Sequence, residues 1–166
     1  MPLRPNLDEI EQFLTKLNRG PNGKFTFLAI DDDKTRNAPP SPEKHGSLAE
    51  ATNLIGNAAE RGYGTYVTIN QTDLRGRKTM NIVAVRALFV DLDGAPILPV
   101  LNCEVPPDIV VESSRGKYHA YWPMTARLRL TGSHRCRRRS LPNSTATSAS
   151  TIFLASCGCQ ALGTKK

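Results

Sequence analysis

Two aspartates one residue apart, Asp91 and Asp93, leave the end of an apolar run in the segment ALFVDLDG. Side chains two apart on a strand share a face, so both carboxylates would point the same way. Neighbouring carboxylates repel, and a divalent cation held by hard oxygen ligands reconciles them. A second apolar run, DIVVE, leads into SSRGKYHAYW. Here Lys117 can meet a phosphate as a point charge and His119 as a donor, Ser114 offers a hydroxyl, and Gly116 permits close backbone approach. His119 and Tyr121 alternate with Tyr118 and Trp122, which turns His119 away from its immediate neighbours. Acids for a cation beside donors for a polyphosphate are the parts that two-metal phosphoryl transfer requires. Each part also has a plain structural explanation. D-x-D-G can be a strand end closed by an Asx turn, and a histidine between aromatics can simply be packed.

The elements that must position these residues are legible along the chain. Asn6 to Asn18 reads as an amphipathic helix, capped by Asn6 with Glu9 three residues on, and carrying Leu7, Ile10, Leu14 and Leu17 at helical spacing. Gly20-Pro21-Asn22-Gly23 ends it. FTFLAI (Phe25–Ile30) is expected to be a strand, stopped by the Asp31-Asp32-Asp33 run, and NAPPSPEKHG a proline-rich loop. Ser47 and Glu50 form a second capping signature, opening a helix to about Arg61 before Gly62. TYVTIN (Thr65–Asn70) is the next strand, and QTDLRGRKTMN a polar, basic connection. IVAVRALFV then runs into the aspartate pair, GAPILPVLNCEVPPD is a loop or broken segment, and DIVVE and YHAYW are strands. Strands alternating with helices in this way predict a mixed α/β sandwich.

At 166 residues the chain suits one domain with a real core. No apolar run reaches spanning length and the N-terminus lacks a signal-peptide core, so the expected setting is cytoplasmic, with no membrane partner. Four cysteines at these spacings match neither a disulfide framework nor a zinc site. The net charge of +7 suggests nucleic acid, but it is unevenly spread. Eight Lys/Arg and no acid follow Met124, which leaves residues 1–123 with fourteen basic against fifteen acidic side chains.

Residues 124–166 therefore read as an aberrant basic, low-order tail. They also read as protein translated out of frame. From Asn143, joining the last base of each codon to the first two of the next turns NSTATSASTIFLASCGCQALGTKK into QYGDLSVHDLPRVMRLPGFGHQK with permitted codons. Acids, apolar alternation and a Pro-Gly turn all return in that string.

The segment RALFVDLDGAPILPVL…PPDIVVESSRGKYHAYWP closely resembles the RepB-like primase and primase–polymerase branch of the archaeo-eukaryotic primase superfamily, found in phages, plasmids and integrated elements. FTFLAIDDDK and GTYVTINQTDLRGRKTMNIVAVRALFVDLDG extend the resemblance over most of residues 24–123. It implies an α/β (α+β) fold: an RRM-like primase catalytic core beside an N-terminal α/β unit, incomplete at the C-terminus. Residues 1–123 would be the N-terminal and central part of that domain. The implied activity is primer synthesis in DNA replication with Mg²⁺ or Mn²⁺, using nucleoside triphosphates and a single-stranded DNA template, with a helicase domain or protein as a further partner. The family's first motif falls on Asp91 and Asp93 as metal ligands, and its second on Ser114 and His119. Asp91, Asp93 and His119 become the catalytic residues, and Ser114, Gly116, Lys117 and His119 the nucleotide-binding set. A third metal-binding acid has no counterpart, since no acid follows Glu112. It returns in the shifted reading as HDLP followed by RVMRLPG. The chain as it stands is therefore expected to be an incomplete, inactive primase domain.

Arg75, Arg77 and Lys78, in the basic connection, are candidates for contact with template phosphates, against a solvated loop as the plain explanation. Arg86 reads equally as a nucleotide contact or an ion-pair partner. Two other functions compete: a non-catalytic replication-initiation module that binds DNA, and a haloacid-dehalogenase-type phosphatase with Asp91 as nucleophile. The second leaves SSRGKYH without a role, and Ala95 stands where that motif usually has Thr or Val.

Overall fold

A computed structural model describes residues 4–31, 33, 35–36, 42–129 and 151–155. Helix α1 (Leu7–Asn18) starts where expected, with Asn6 Oδ1 accepting the Glu9 N–H at 3.4 Å. Its buried stripe is Ile10, Leu14 and Leu17. The left-handed residue that closes it is Arg19 (φ 53°), one position before the glycine of the predicted stop. A non-glycine residue accepts this conformation only when its surroundings hold it. Here the Arg19 guanidinium donates to the Pro123 carbonyl at 3.0 and 2.8 Å and lies 3.6 Å from Asp108, tying the end of α1 to a distant strand.

Strands β1 (Phe25–Ile30) and β2 (Glu43–Gly46) pair antiparallel, so the end of the proline-rich segment forms a strand rather than a loop. Helix α2 (Leu48–Arg61) follows, ended by Gly62 in the left-handed region. Its capping box is complete: Ser47 Oγ accepts the Glu50 N–H, and the Glu50 carboxylate accepts from the Ser47 N–H at 2.7 Å. The Ser47 N–H first, and then the Ser47 hydroxyl donating to the same carboxylate at 2.9 Å, hold the Glu50 carboxyl below its usual range. A lowered folded-state value means that the unfolded chain binds the proton more readily. The contribution is therefore present above the ordinary carboxylate range and fades as the pH falls through the depressed value. Ser47→Ala is expected to cost about 1 kcal/mol, read as a lower urea midpoint with unchanged slope.

The chain continues through β3 (Gly64–Thr68), β4 (Gln71–Thr72), β5 (Ile82–Leu92), a single turn α3 (Leu98–Leu101), β6 (Ile109–Ser114), β7 (Lys117–Arg129) and β8 (Thr151–Ala155). Among the described residues the pairings are all antiparallel, in two four-stranded sheets ordered β2-β1-β3-β8 and β4-β5-β7-β6. Residues 124–129 prolong β7 alongside β5, and 151–155 add an edge strand to β3; the rest of the predicted basic tail lies outside the described residues. With α2 packed on β1–β3 and α1 on β5–β7, the architecture is α+β, as expected.

One buried cluster joins both halves: Ile10, Leu14 and Leu17 of α1, Phe25 and Phe27 of β1, Ile55 of α2, Val67, Ala87, Ile109 and Tyr121. Polar links also cross between the sheets. Thr26 Oγ1 lies 2.8 Å from Thr72 Oγ1. Arg86 of β5, only 3% exposed, donates to the carbonyls of Ile69 at 3.3 Å and Lys24 at 3.0 Å, with its guanidinium 4.2 Å above the Phe25 ring. Arg86 is thus a buried clamp between sheets rather than a nucleotide contact. Among the described residues, no helix is long and apolar enough to cross a membrane.

Candidate functional site

The register of the second sheet builds the site. Across β5, β7 and β6, Phe89 pairs with Tyr121 and Tyr121 with Ile109; Asp91 pairs with His119 and His119 with Val111. Partners in an antiparallel ladder share a face, and so do residues two apart. Phe89, Asp91, His119 and Tyr121 therefore lie on one surface. A bulge between Glu112 and Ser114 sets Ser114, rather than Ser113, opposite Lys117, which brings that pair onto the same face.

Beyond the strand, Asp93 and Gly94 form a turn closed by the Ala95 N–H on the Leu92 carbonyl at 3.1 Å. Gly94 has φ 86°, a conformation that disfavours other residues. The turn leaves Asp93 bonded to Lys117. The acids thus stand on one side of the site and the bases beside them on the next strand, with Asp91 Oδ1 3.4 Å from His119 Nε2. Gly116, at φ 76°, occupies the hairpin turn between β6 and β7 with open space where a Cβ would sit. Its N–H donates to the Glu112 carboxylate at 2.8 Å. Turn geometry by itself accounts for glycine there.

The electrostatics follow from these contacts. The hydrogen bond from Lys117, and then its charge, hold the Asp93 carboxyl below the usual range; the same bond raises the Lys117 ammonium. Burial, with a smaller push from the Asp91 charge, raises the Tyr121 phenol far above its ordinary value. Both carboxylates remain largely open to solvent, at 56% for Asp91 and 71% for Asp93, whereas His119 is 18% exposed. Among the described residues, no cluster of three or more His, Cys, Asp or Glu is placed to hold a metal. A pair of exposed carboxylates still fits Mg²⁺, which commonly takes one or two carboxylates and completes its shell with water and phosphate oxygens.

At the level of fold, this chain is similar to the AEP domain of the cyanophage S-2L primase–polymerase. The superposition has a TM-score of 0.56 at 16% identity, covering 78% of this chain and 66% of that domain. The chain thus spans a little under two thirds of its structural neighbour. No family model and no curated protein matches the sequence.

The sequence placed Asp91, Asp93, Ser114, Gly116, Lys117 and His119 in one site, and the structure gathers them at one end of β5, β6 and β7. Arg75, Arg77 and Lys78 are not brought there. They lie in the connection before Ile82, nine residues from Asp91 along β5, or ~30 Å for an extended strand. Arg77 is engaged by Glu43 of β2 at 2.7 Å. In the sequence Tyr121 stands out only by its place in the alternation. Its hydroxyl is 3.1 Å from His119 Nδ1, and the period-two spacing from His119 was the available signal.

Proposed function

We propose that this chain carries the first two motifs of a primase-type nucleotidyltransferase of the RepB-like branch, acting on nucleoside triphosphates over a single-stranded DNA template. The observation that carries the reading is the cross-strand array: Asp91 and Asp93 paired with His119 and Lys117, on a fold similar to a phage primase–polymerase domain. In this reading Asp91 and Asp93 hold Mg²⁺ or Mn²⁺, which when bound neutralises charge and polarises phosphoryl oxygens. Lys117 then swings from Asp93 to the triphosphate as a mobile point charge, and His119 offers it the Nε2–H as a directed donor. Ser114, opposite Lys117, adds a hydroxyl. Template contact by Arg75, Arg77 and Lys78 belongs to the same proposal, as a surface remote from the acids along β5.

The reading also holds that residues 124–166 are out of frame and that the third metal-binding acid lies in the displaced frame. The coding DNA decides this, because codons incompatible with the HDLPRVMRLPG string end it. A chain without that acid should bind nucleotide yet synthesise little or no primer. The direct test is calorimetric titration with a non-hydrolysable nucleoside triphosphate, with Mn²⁺ or with EDTA. Binding is expected with the cation only. DNA binding that persists in EDTA, with no triphosphate binding, points instead to a non-catalytic replication-initiation module.

A further inference from the structure

We propose that Tyr121 is a positioning residue: its hydroxyl donates to His119 Nδ1 and thereby holds the imidazole with Nε2–H turned toward Asp91 and the open end of the site. The Tyr121 side chain is completely buried. It meets the edge of Phe13 of α1 at a centroid distance of 6.0 Å and stacks with Phe89 at 6.2 Å. A buried phenol needs a polar partner, and the Tyr121 hydroxyl has one in His119 Nδ1 at 3.1 Å.

The direction of that bond follows from the other side of the ring. Nε2 is 3.4 Å from Asp91 Oδ1, a charge contact rather than a hydrogen bond, and the negative carboxylate favours the tautomer that carries its proton on Nε2. A neutral imidazole then has a bare Nδ1, and only a donor suits it. The Tyr121 O–H is that donor. The ring is fixed from below by a rigid, buried aromatic on its own strand, so Nε2–H keeps its aim when its partner changes from a carboxylate to an incoming anion. A hydrogen bond of this kind sets orientation as well as energy. The effect on nucleotide binding rests on the function proposed above; the tautomer itself does not.

The test is long-range ¹H–¹⁵N correlation on the full chain labelled in its three histidines, at about pH 8.5, above the range in which imidazoles ordinarily titrate. His119→Gln assigns the resonances. In the wild-type chain His119 should show a protonated Nε2 and a bare Nδ1. Tyr121→Phe keeps the buried ring and Asp91 but takes the donor from Nδ1, so it should shift the Nδ1 resonance to that of an unbonded nitrogen, with triphosphate affinity lowered about threefold to tenfold, the worth of one hydrogen bond. A proton on Nδ1 in the wild-type chain overturns the proposal, and so does an Nδ1 resonance that Tyr121→Phe leaves unmoved. The wild-type spectrum decides by itself if the variant does not fold. The expected resonances without any triphosphate binding support the positioning role and sink the nucleotide reading instead.

Discussion

Asp91→Asn is expected to lower cation-dependent binding of a nucleoside triphosphate by at least about a hundredfold while leaving the fold intact. Asn keeps the volume but removes the charge that draws a divalent cation, and a site built on two carboxylates loses half of its protein ligands. Loss of a direct ligand should exceed the tenfold to hundredfold typical of residues that merely support one. The carboxylate is mostly exposed, so the variant should unfold within about 0.5 kcal/mol of the wild type. Titration of both proteins with Mn²⁺ and a non-hydrolysable triphosphate, beside a urea melt, separates the two effects. Triphosphate affinity that survives this exchange and EDTA together removes the cation from the site.

Arg86→Ala should act in the opposite way, unfolding the protein without touching the acids. The substitution removes the guanidinium of a residue that is only 3% exposed and takes the donor from two carbonyls, the buried one of Ile69 and the partly buried one of Lys24. Each stranded buried acceptor costs about 1–3 kcal/mol, and the contact with the Phe25 face goes too. A loss of about 3–5 kcal/mol is expected, a large share of the stability of a domain this size. Arg86→Met separates the contributions. It refills much of the space while still leaving the carbonyls unmet, so it should recover only the packing part. A chemical-denaturation series over the three proteins measures this, and a loss below about 1 kcal/mol for Arg86→Ala would show that the clamp contributes little.

How much of this was written in the chain varies with the range of the forces involved. Helix α1, the capping box of α2 and the strands at Phe25–Ile30, Ile82–Leu92 and Ile109–Ser114 were legible because caps, stops and apolar periodicity act over a few residues. The resemblance to primases pointed to an α+β core, and the fold agrees. Strand β2 was read as loop because prolines dominate the residues before it, while its pairing with β1 is a tertiary gain. Arg19 took the left-handed position from the following glycine for a similar reason: Pro123, more than a hundred residues away, holds its side chain.

The candidate site divides along the same line. Spacing alone put His119 and Tyr121 on one side of a strand, because alternation is intrinsic to an extended backbone, whereas Asp93 lies past the end of β5 and reaches the site through its turn rather than by alternation with Asp91. No local rule says which side of one strand faces which side of the next. The antiparallel register of β5 with β7 made that choice, matching Asp91 to His119 and Phe89 to Tyr121. The same packing buried Arg86 between the sheets and set the basic connection at the far end of β5. Residue chemistry and short-range geometry were thus available from sequence, whereas partnership and burial arose only when distant segments came together.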